Sequence, residues 1–589
     1  MAETDNSAPV TPGNTAPPPP GTAHPPSAVT MSSTPLERIA LACSGGGYRA
    51  TGFHLGGLSY LNQVTYRGKP LLENVKMIST VSGGSIAGVV YALKKQEGAS
   101  FAAIFKFITD LLNTVDLLKS GLEKLNPGTH WNNPGKRKNL INAWSELYDQ
   151  HFTGGATFAA LNPITPQSHL EAVVFNSTEF SNAVDFRFRN NGTGVFGNYY
   201  LEIDPALALE VKLADALASS ACFPAAFEPI MWPADFIHAG SPLLTAKKDQ
   251  LPTAAIMDGG IYDNQGIESI LMYEKITPDR PFDLIIISDV LSPSMPPFKP
   301  TADEPKTGFR SKTVGEVKRD VMRINNNIGW ILGVLTLLFA ALPLSWRYTN
   351  RTGTGICLTL AVALLGCWIG KAWLWKKLAA LAAYAKNKIL NPVPPFILQS
   401  LASLKLDDLS VRRVEPLLLD RLNSLLDLLL NVFLKIVRSL NYAKIYEVDA
   451  FRYRRISHLI YQLTAANFTT QTQPWQAPPE VRAKSTFTGN YASDVGSKIQ
   501  TVAELATSYG ITLWFTDLDK MNNTLNTLVA TGRFTMCYNL IAYLESLLYD
   551  PASGFDALPP ATQEELKKTY AQCLADWAGF KADPLTPAL

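Results

Sequence analysis

The chain has 589 residues, 47% of them hydrophobic, with a formal net charge of +2. That length exceeds one ordinary domain and can bury a large core, and the near-balanced charge carries none of the electrostatic footprint of a nucleic-acid binder. The six cysteines (Cys43, Cys222, Cys357, Cys367, Cys537 and Cys573) have neither metal-ligand nor disulfide spacing, so no metal site is expected and a reducing compartment suits them.

Residues 1–33 are rich in Pro, Ser, Thr and Ala and lack an early apolar run, which reads as a disordered tail rather than a signal peptide. The run Ile39-Ala40-Leu41-Ala42-Cys43 predicts a strand ending in the turn Ser44-Gly45-Gly46-Gly47-Tyr48-Arg49. Three consecutive glycines expose backbone N–H groups that can face a developing oxyanion, so Gly45, Gly46 and Gly47 are candidates for an oxyanion hole. The bland alternative is a tight turn. Arg49 either braces this loop or attracts an anionic head group. A second strand over Val75-Lys76-Met77-Ile78-Ser79-Thr80 leads into Val81-Ser82-Gly83-Gly84-Ser85-Ile86-Ala87-Gly88 and an apolar helix.

A nucleophile elbow presents a serine at a sharp strand-to-helix turn and needs small flanking residues. Ser85 is the preferred nucleophile, with Gly83 two residues before it and Ala87 two after, where G-x-S-x-G has a second Gly. Ser82 competes, with Gly84 two residues after it and Thr80 two before. Farther on, Ala254-Ala255-Ile256-Met257 predicts a strand ending at Asp258-Gly259-Gly260. Asp-Gly is a common turn dipeptide; its functional reading is Asp258 as general base, with Gly259 and Gly260 allowing close backbone approach. The seven histidines give little support for a Ser-His-Asp triad: His54 follows the glycine loop as a packed residue, and His458 reads as a helix interior. A Ser85–Asp258 dyad is the expectation.

These motifs, in this order, resemble the patatin-like phospholipase family, with a secondary likeness to the cytosolic phospholipases in Ser44-Gly45-Gly46-Gly47-Tyr48-Arg49. The block Ala218-Ser219-Ser220-Ala221-Cys222-Phe223-Pro224 and the stretch Asp258-Gly259-Gly260-Ile261-Tyr262-Asp263-Asn264 extend the resemblance. It implies an α/β fold, a patatin-like three-layer sandwich with a mostly parallel sheet, and a serine carboxylic-ester hydrolase acting on a membrane phospholipid or other acyl-ester lipid without a cofactor. The same residues serve a lipid acyltransferase, and a catalytically silent membrane scaffold is the rival from outside enzymes.

Composition changes after the apolar run Leu284-Ile285-Ile286-Ile287. Ile328 to Trp346 and Thr352 to Gly370 contain no charged residue, and each approaches the roughly 20 residues that a bilayer span requires. Trp330, Trp346, Trp368, Trp373 and Trp375 cluster near their ends, as interfacial aromatics do. Basic residues flank the pair (Lys312, Lys318, Arg319 and Arg323 before; Lys371, Lys376, Lys377, Lys386 and Lys388 after), against Arg347 and Arg351 between the runs. The positive-inside rule then places both flanks, and the catalytic domain, on the cytoplasmic side of a two-helix membrane protein. Leu417 to Leu440 reads as an amphipathic helix, packed on the core or lying on the bilayer. The expected organisation is a tail (1–33), a catalytic domain (34–325), a transmembrane hairpin (326–376), an amphipathic helical region (377–449), closing helices of the catalytic domain (450–550) and a C-terminal helical tail (551–589).

Overall fold

The computed structural model describes residues 31–190, 194–224, 226–291, 298–299, 311–345, 351–390, 410–470, 478–488 and 491–587. The tail over 1–30, and Trp346 with the connection over 347–350, lie outside these residues. The described residues within 1–295 and 430–589 form one compact unit, and those within 296–429 form a second.

The first unit is built on an eight-stranded sheet. Its strands are β1 (Ile39–Cys43), β4 (Val75–Val81), β5 (Ala172–Glu179), β6 (Val184–Arg189), β7 (Ile230–Trp232), β8 (Ala254–Asp258), β9 (Leu284–Asp289) and β10 (Arg455–Leu459); β2 (Thr65–Tyr66) and β3 (Lys69–Pro70) form a separate small hairpin. The order is β10-β9-β1-β4-β5-β8-β7, with β6 paired to β5. From β10 to β5 every pairing is parallel, while β6, β8 and β7 join antiparallel.

Alternation along the strands makes this a three-layer sandwich. Ile39, Leu41, Val173, Phe175, Leu284 and Ile286 enter one core, while Ala40, Ala42, Ala172, Val174, Ile285 and Ile287 enter another on the opposite face. Because both faces are covered, the central strands read as continuous apolar runs. Helices α1 (Gly47–Gln63) and α2 (Gly83–Gln96) cover the first face with the helix Thr524–Tyr549. The second is covered by Ile267, Ile270 and Tyr273 of the helix Ile267–Ile276 and by Ile445. The fold is thus the mixed, mostly parallel sandwich expected. One local expectation fails: His458 lies on β10, a strand at the sheet edge, not inside a helix. The pattern Ile456-Ser457-His458-Leu459 looks helical in isolation, but parallel pairing with Ile286 to Asp289 decides its conformation.

In the second unit, helices Val314–Ser345 and Arg351–Leu390 pack on each other. Both are long and apolar enough to cross a membrane. Their apolar side chains, Trp330, Ile331, Leu337, Val362 and Trp373 among them, are exposed. The Lys371 ammonium donates to the Asn325 carbonyl between the two helices. The segment read as one amphipathic helix is a helix over Val411–Asp427, a π-helical turn over Leu428–Val432 and a helix over Phe433–Tyr446. Its last part packs in the first unit: Asn441 and Ile445 are buried, and Arg438 pairs with the buried Asp289 at 2.7 Å.

Candidate active site

Strand β5 brings the chemistry together by register. Along it, Asn176 pairs with Val81, the last residue of β4, and the next residue, Ser177, pairs with Asp258 of β8. The antiparallel strand β8 takes over where the parallel strand β4 stops. The residue following Val81 is Ser82, so Ser82 and Asp258 arrive at the same point from strands some 175 residues apart in sequence.

Ser82 has the backbone of a residue held at a sharp strand-to-helix turn. Its φ of 50° and ψ of −118° put a non-glycine residue in a sparsely populated region between strand and helix, a conformation that costs about 1–3 kcal/mol and persists only where the surroundings enforce it. They do so here: the Ser82 amide donates to Ser220 Oγ at 3.0 Å, and the Ser220 hydroxyl donates to the Asn176 carbonyl at 2.7 Å. A Cβ added to Gly83 would come 2.1 Å from the Gly47 carbonyl oxygen, so the two glycine turns meet backbone to backbone. A Cβ on Gly45 would lie 3.1 Å from Ser82 Cβ.

These contacts set Ser85, the serine preferred from the sequence, apart from Ser82. Ser85 is fully buried, one turn into α2, with its hydroxyl 3.0 Å from Thr80 Oγ1 and 2.8 Å from Ser220 Oγ. The single Ser220 hydrogen goes to Asn176, so Ser85 donates to Ser220 and acts as a brace beneath the elbow. The G-x-S-x-G spacing favoured Ser85, but presentation depends on where the strand ends. Val81 is the last residue of β4, which makes Ser82 the turn residue. That strand boundary, with Gly84 two residues on, was the signal in the sequence that pointed to Ser82.

Asp258 is buried, with Oδ1 accepting the Gly260 amide at 2.7 Å and Oδ2 lacking a hydrogen-bond partner among the described residues. Burial pushes its carboxyl up from 3.8 to about 7, opposed by the Gly260 amide and by the Ser82 hydroxyl. Gly259 supplies close approach, since a Cβ there would sit 2.4 Å from the Asn176 carbonyl oxygen. The block around Ser219 and Ser220 also reaches this point, because the Asp258 amide donates to the Cys222 carbonyl at 3.0 Å.

The glycine turn faces Ser82, with one change to its expected donors. The Gly45 amide donates to the Asn264 carbonyl at 3.1 Å and is therefore not open to a ligand. The short helix Gly260–Asp263 after Asp258 carries that carbonyl against the turn. The amides of Gly46, Gly47 and Gly83 have no partner among the described residues. Gly46 has φ of +143° and Gly47 +60°, conformations L-residues rarely adopt. Arg49 is buried and donates to the carbonyls of Val290 at 3.0 Å and Tyr509 at 2.8 Å. These contacts fit the bracing role expected of it.

His54 and His458 are held away from this centre. Both ring nitrogens of His54 and of His458 are engaged by Ser288 and by backbone carbonyls.

A serine on a strand-to-helix turn, a buried carboxyl raised toward neutrality and glycine amides without a partner among the described residues thus come together on a mostly parallel α/β sandwich. Residues 41–271 match the model of the family described as patatin-like phospholipase. Among solved structures, human GIVD cytosolic phospholipase A2 is similar at 13% identity with a TM-score of 0.27, the match covering 44% of this chain and 43% of that one. The match thus spans less than half the length of that protein. No curated protein matches the chain.

Proposed function

We propose that the protein is a membrane-anchored lipid acyl hydrolase in which Ser82 is the nucleophile and Asp258 the general base. The observation that carries this reading is the strained Ser82 backbone beside a buried carboxyl raised to about 7. An ordinary aspartate is too acidic to accept a serine proton efficiently, whereas a base near the operating pH is well matched to the task. Ser82 Oγ attacks the ester carbonyl as its proton passes to Asp258. The tetrahedral oxyanion is held by the Gly46, Gly47 and Gly83 amides, each such donor contributing roughly 3–4 kcal/mol to the transition state. Collapse breaks the ester C–O bond, and Asp258 returns the proton to the leaving alcohol. Water then attacks the acyl-Ser82 ester, gives its proton to Asp258 and releases the fatty acid, after which Ser82 regains its hydrogen.

The two exposed apolar helices support anchoring in a bilayer, with both flanks on the cytoplasmic side as the basic residues suggest. Anchoring would keep the reactive serine near a surface rich in phospholipid esters.

The test is labelling with a fluorophosphonate followed by peptide mass analysis, together with hydrolysis of phospholipid vesicles. Modification of Ser82 and release of free fatty acid support the reading. Modification of another residue, or no labelling with undiminished hydrolysis, refutes the assignment. An acylated lipid product in place of free acid would make the enzyme an acyltransferase.

A further inference from the structure

A buried polar chain beneath the glycine turn takes no part in the reaction above. His54 Nε2 lies 2.9 Å from the Ser44 carbonyl oxygen and Nδ1 lies 2.7 Å from Ser288 Oγ. From the other side, His458 Nδ1 lies 2.7 Å from the same Oγ, and Nε2 lies 2.9 Å from the Gly532 carbonyl oxygen. All three side chains are buried, and the Phe53 ring stacks on His458 with centroids 4.2 Å apart.

The ends of this chain fix its hydrogens. A carbonyl only accepts, so each imidazole must carry its hydrogen on Nε2. Both Nδ1 atoms are then bare acceptors facing a hydroxyl with one hydrogen, leaving three hydrogens for four contacts. Burial pushes His54 down to about 4 and His458 to about 3, the carbonyl contacts only partly offsetting it, so neither ring supplies a fourth hydrogen at neutral pH. The Ser288 hydrogen therefore serves two equidistant acceptors.

What the chain holds is the entry to the glycine turn. The Ser44 carbonyl belongs to the peptide that joins Ser44 to Gly45. The other Ser44 groups are committed as well: its amide donates to the Ser288 carbonyl at 2.9 Å, and its hydroxyl donates to the Gly45 carbonyl while accepting the Val290 amide. His54 sits two turns into α1, the helix that starts at Gly47, and reaches back to pin the peptide in front of that helix. His458 enters on β10, from the chain beyond the inserted segment, and buttresses the arrangement through Ser288.

We propose that His54, Ser288 and His458 are positioning residues for the oxyanion turn, a relay in which one serine hydroxyl engages two Nε2–H imidazoles and holds the Ser44–Gly45 peptide so that the Gly46 and Gly47 amides aim at the reacting carbonyl. Its catalytic consequence rests on the hydrolase reading above; its tautomers do not. An error of one ångström in such positioning costs up to about a hundredfold in rate.

The experiment uses the full chain in detergent, labelled with [15N]histidine; with only seven histidines, long-range 1H–15N spectra resolve each ring. At pH 7 His54 and His458, assigned by the loss of their signals in His54→Phe and His458→Phe, are expected as neutral Nε2–H tautomers. Ser288→Ala is expected to shift both Nδ1 resonances together and to lower kcat about 10- to 100-fold with KM held within about twofold; Ser288→Thr, which keeps the hydroxyl, restores most of the loss. Either ring as an Nδ1–H tautomer or an imidazolium at pH 7 overturns the relay, and so does unchanged kcat in Ser288→Ala or equal impairment in Ser288→Thr. Should Ser288→Ala not fold, Ser288→Cys supplies the kcat readout, because a thiol is a weak donor. If Ser82→Ala hydrolyses esters like the parent, the nucleophile assignment fails while the tautomer spectra still decide the relay.

Discussion

Replacing Asp258 with Asn separates what the carboxylate costs the fold from what it does in chemistry. Burial moves this carboxyl from 3.8 to about 7, which corresponds to about 4 kcal/mol at ~1.4 kcal/mol for each tenfold change in proton affinity. The folded state holds the proton more tightly than the unfolded chain. The stability this confers is complete below about 3.8 and is lost as pH rises through about 7, beyond which the folded protein carries a buried charge. Asp258→Asn is neutral throughout and escapes that loss. Its amide brings a fixed penalty, because Oδ2 has no hydrogen-bond partner among the described residues and an unpaired donor there costs about 1–3 kcal/mol at every pH. The pH-dependent part isolates the carboxylate: between pH 5 and pH 8 the variant should gain about 3 kcal/mol of stability relative to the parent. Urea unfolding of both full-length proteins in detergent, followed by tryptophan fluorescence at the two pH values, measures this. Relative stability that stays the same from pH 5 to pH 8 would refute the premise of a carboxyl held near neutrality. The variant should also be catalytically inactive, so a protein that is stabilised and dead at pH 8 is the expected outcome.

Ser82→Ala should lower ester hydrolysis by about a thousandfold or more, whereas Ser85→Ala, which removes a brace beneath the elbow, should keep most of the activity while lowering the melting temperature; the reverse pattern in paired kinetic and melting assays returns the nucleophile to Ser85. The pH profile of kcat/KM should rise through about 7 as Asp258 loses its proton, and a profile flat from pH 5.5 to 8.5 argues against this base. Gly46→Val places a Cβ 2.4 Å from Val290 Cγ2 at a φ of +143°, so kcat should fall by about a hundredfold or more with KM little changed; unchanged turnover removes the turn from the oxyanion role. Replacing residues 296–429 with a short linker should release the protein from membranes in an alkaline carbonate wash, preserve hydrolysis of a short soluble ester and reduce activity on vesicles. Tight membrane binding by that deletion would sink the anchor.

Much of the architecture is set by the amino-acid order alone. The runs Ile39 to Cys43 and Leu284 to Ile287 are apolar at every position because both faces of a covered parallel strand are buried. The glycine runs announce turns where backbones touch, since any side chain at Gly83 or Gly47 would collide with a main-chain carbonyl. The two uncharged stretches declare helices that water solvates poorly, again from composition.

Tertiary structure decided the choices among neighbours. The sequence motif prefers Ser85 over Ser82, and the register of β5, which ends its pairing with β4 at Val81 and begins that with β8 at Asp258, is what brings Ser82 to the carboxylate. Which glycine amides stay open depended on the Asn264 carbonyl, which arrives from more than 200 residues away and closes off Gly45. His458 became a strand residue because β9 was there to pair with it. Burial of a run is a property of local composition and can be read from the chain. The partner of a hydroxyl, an amide or a strand edge is fixed by pairing between distant segments, which local preferences do not encode.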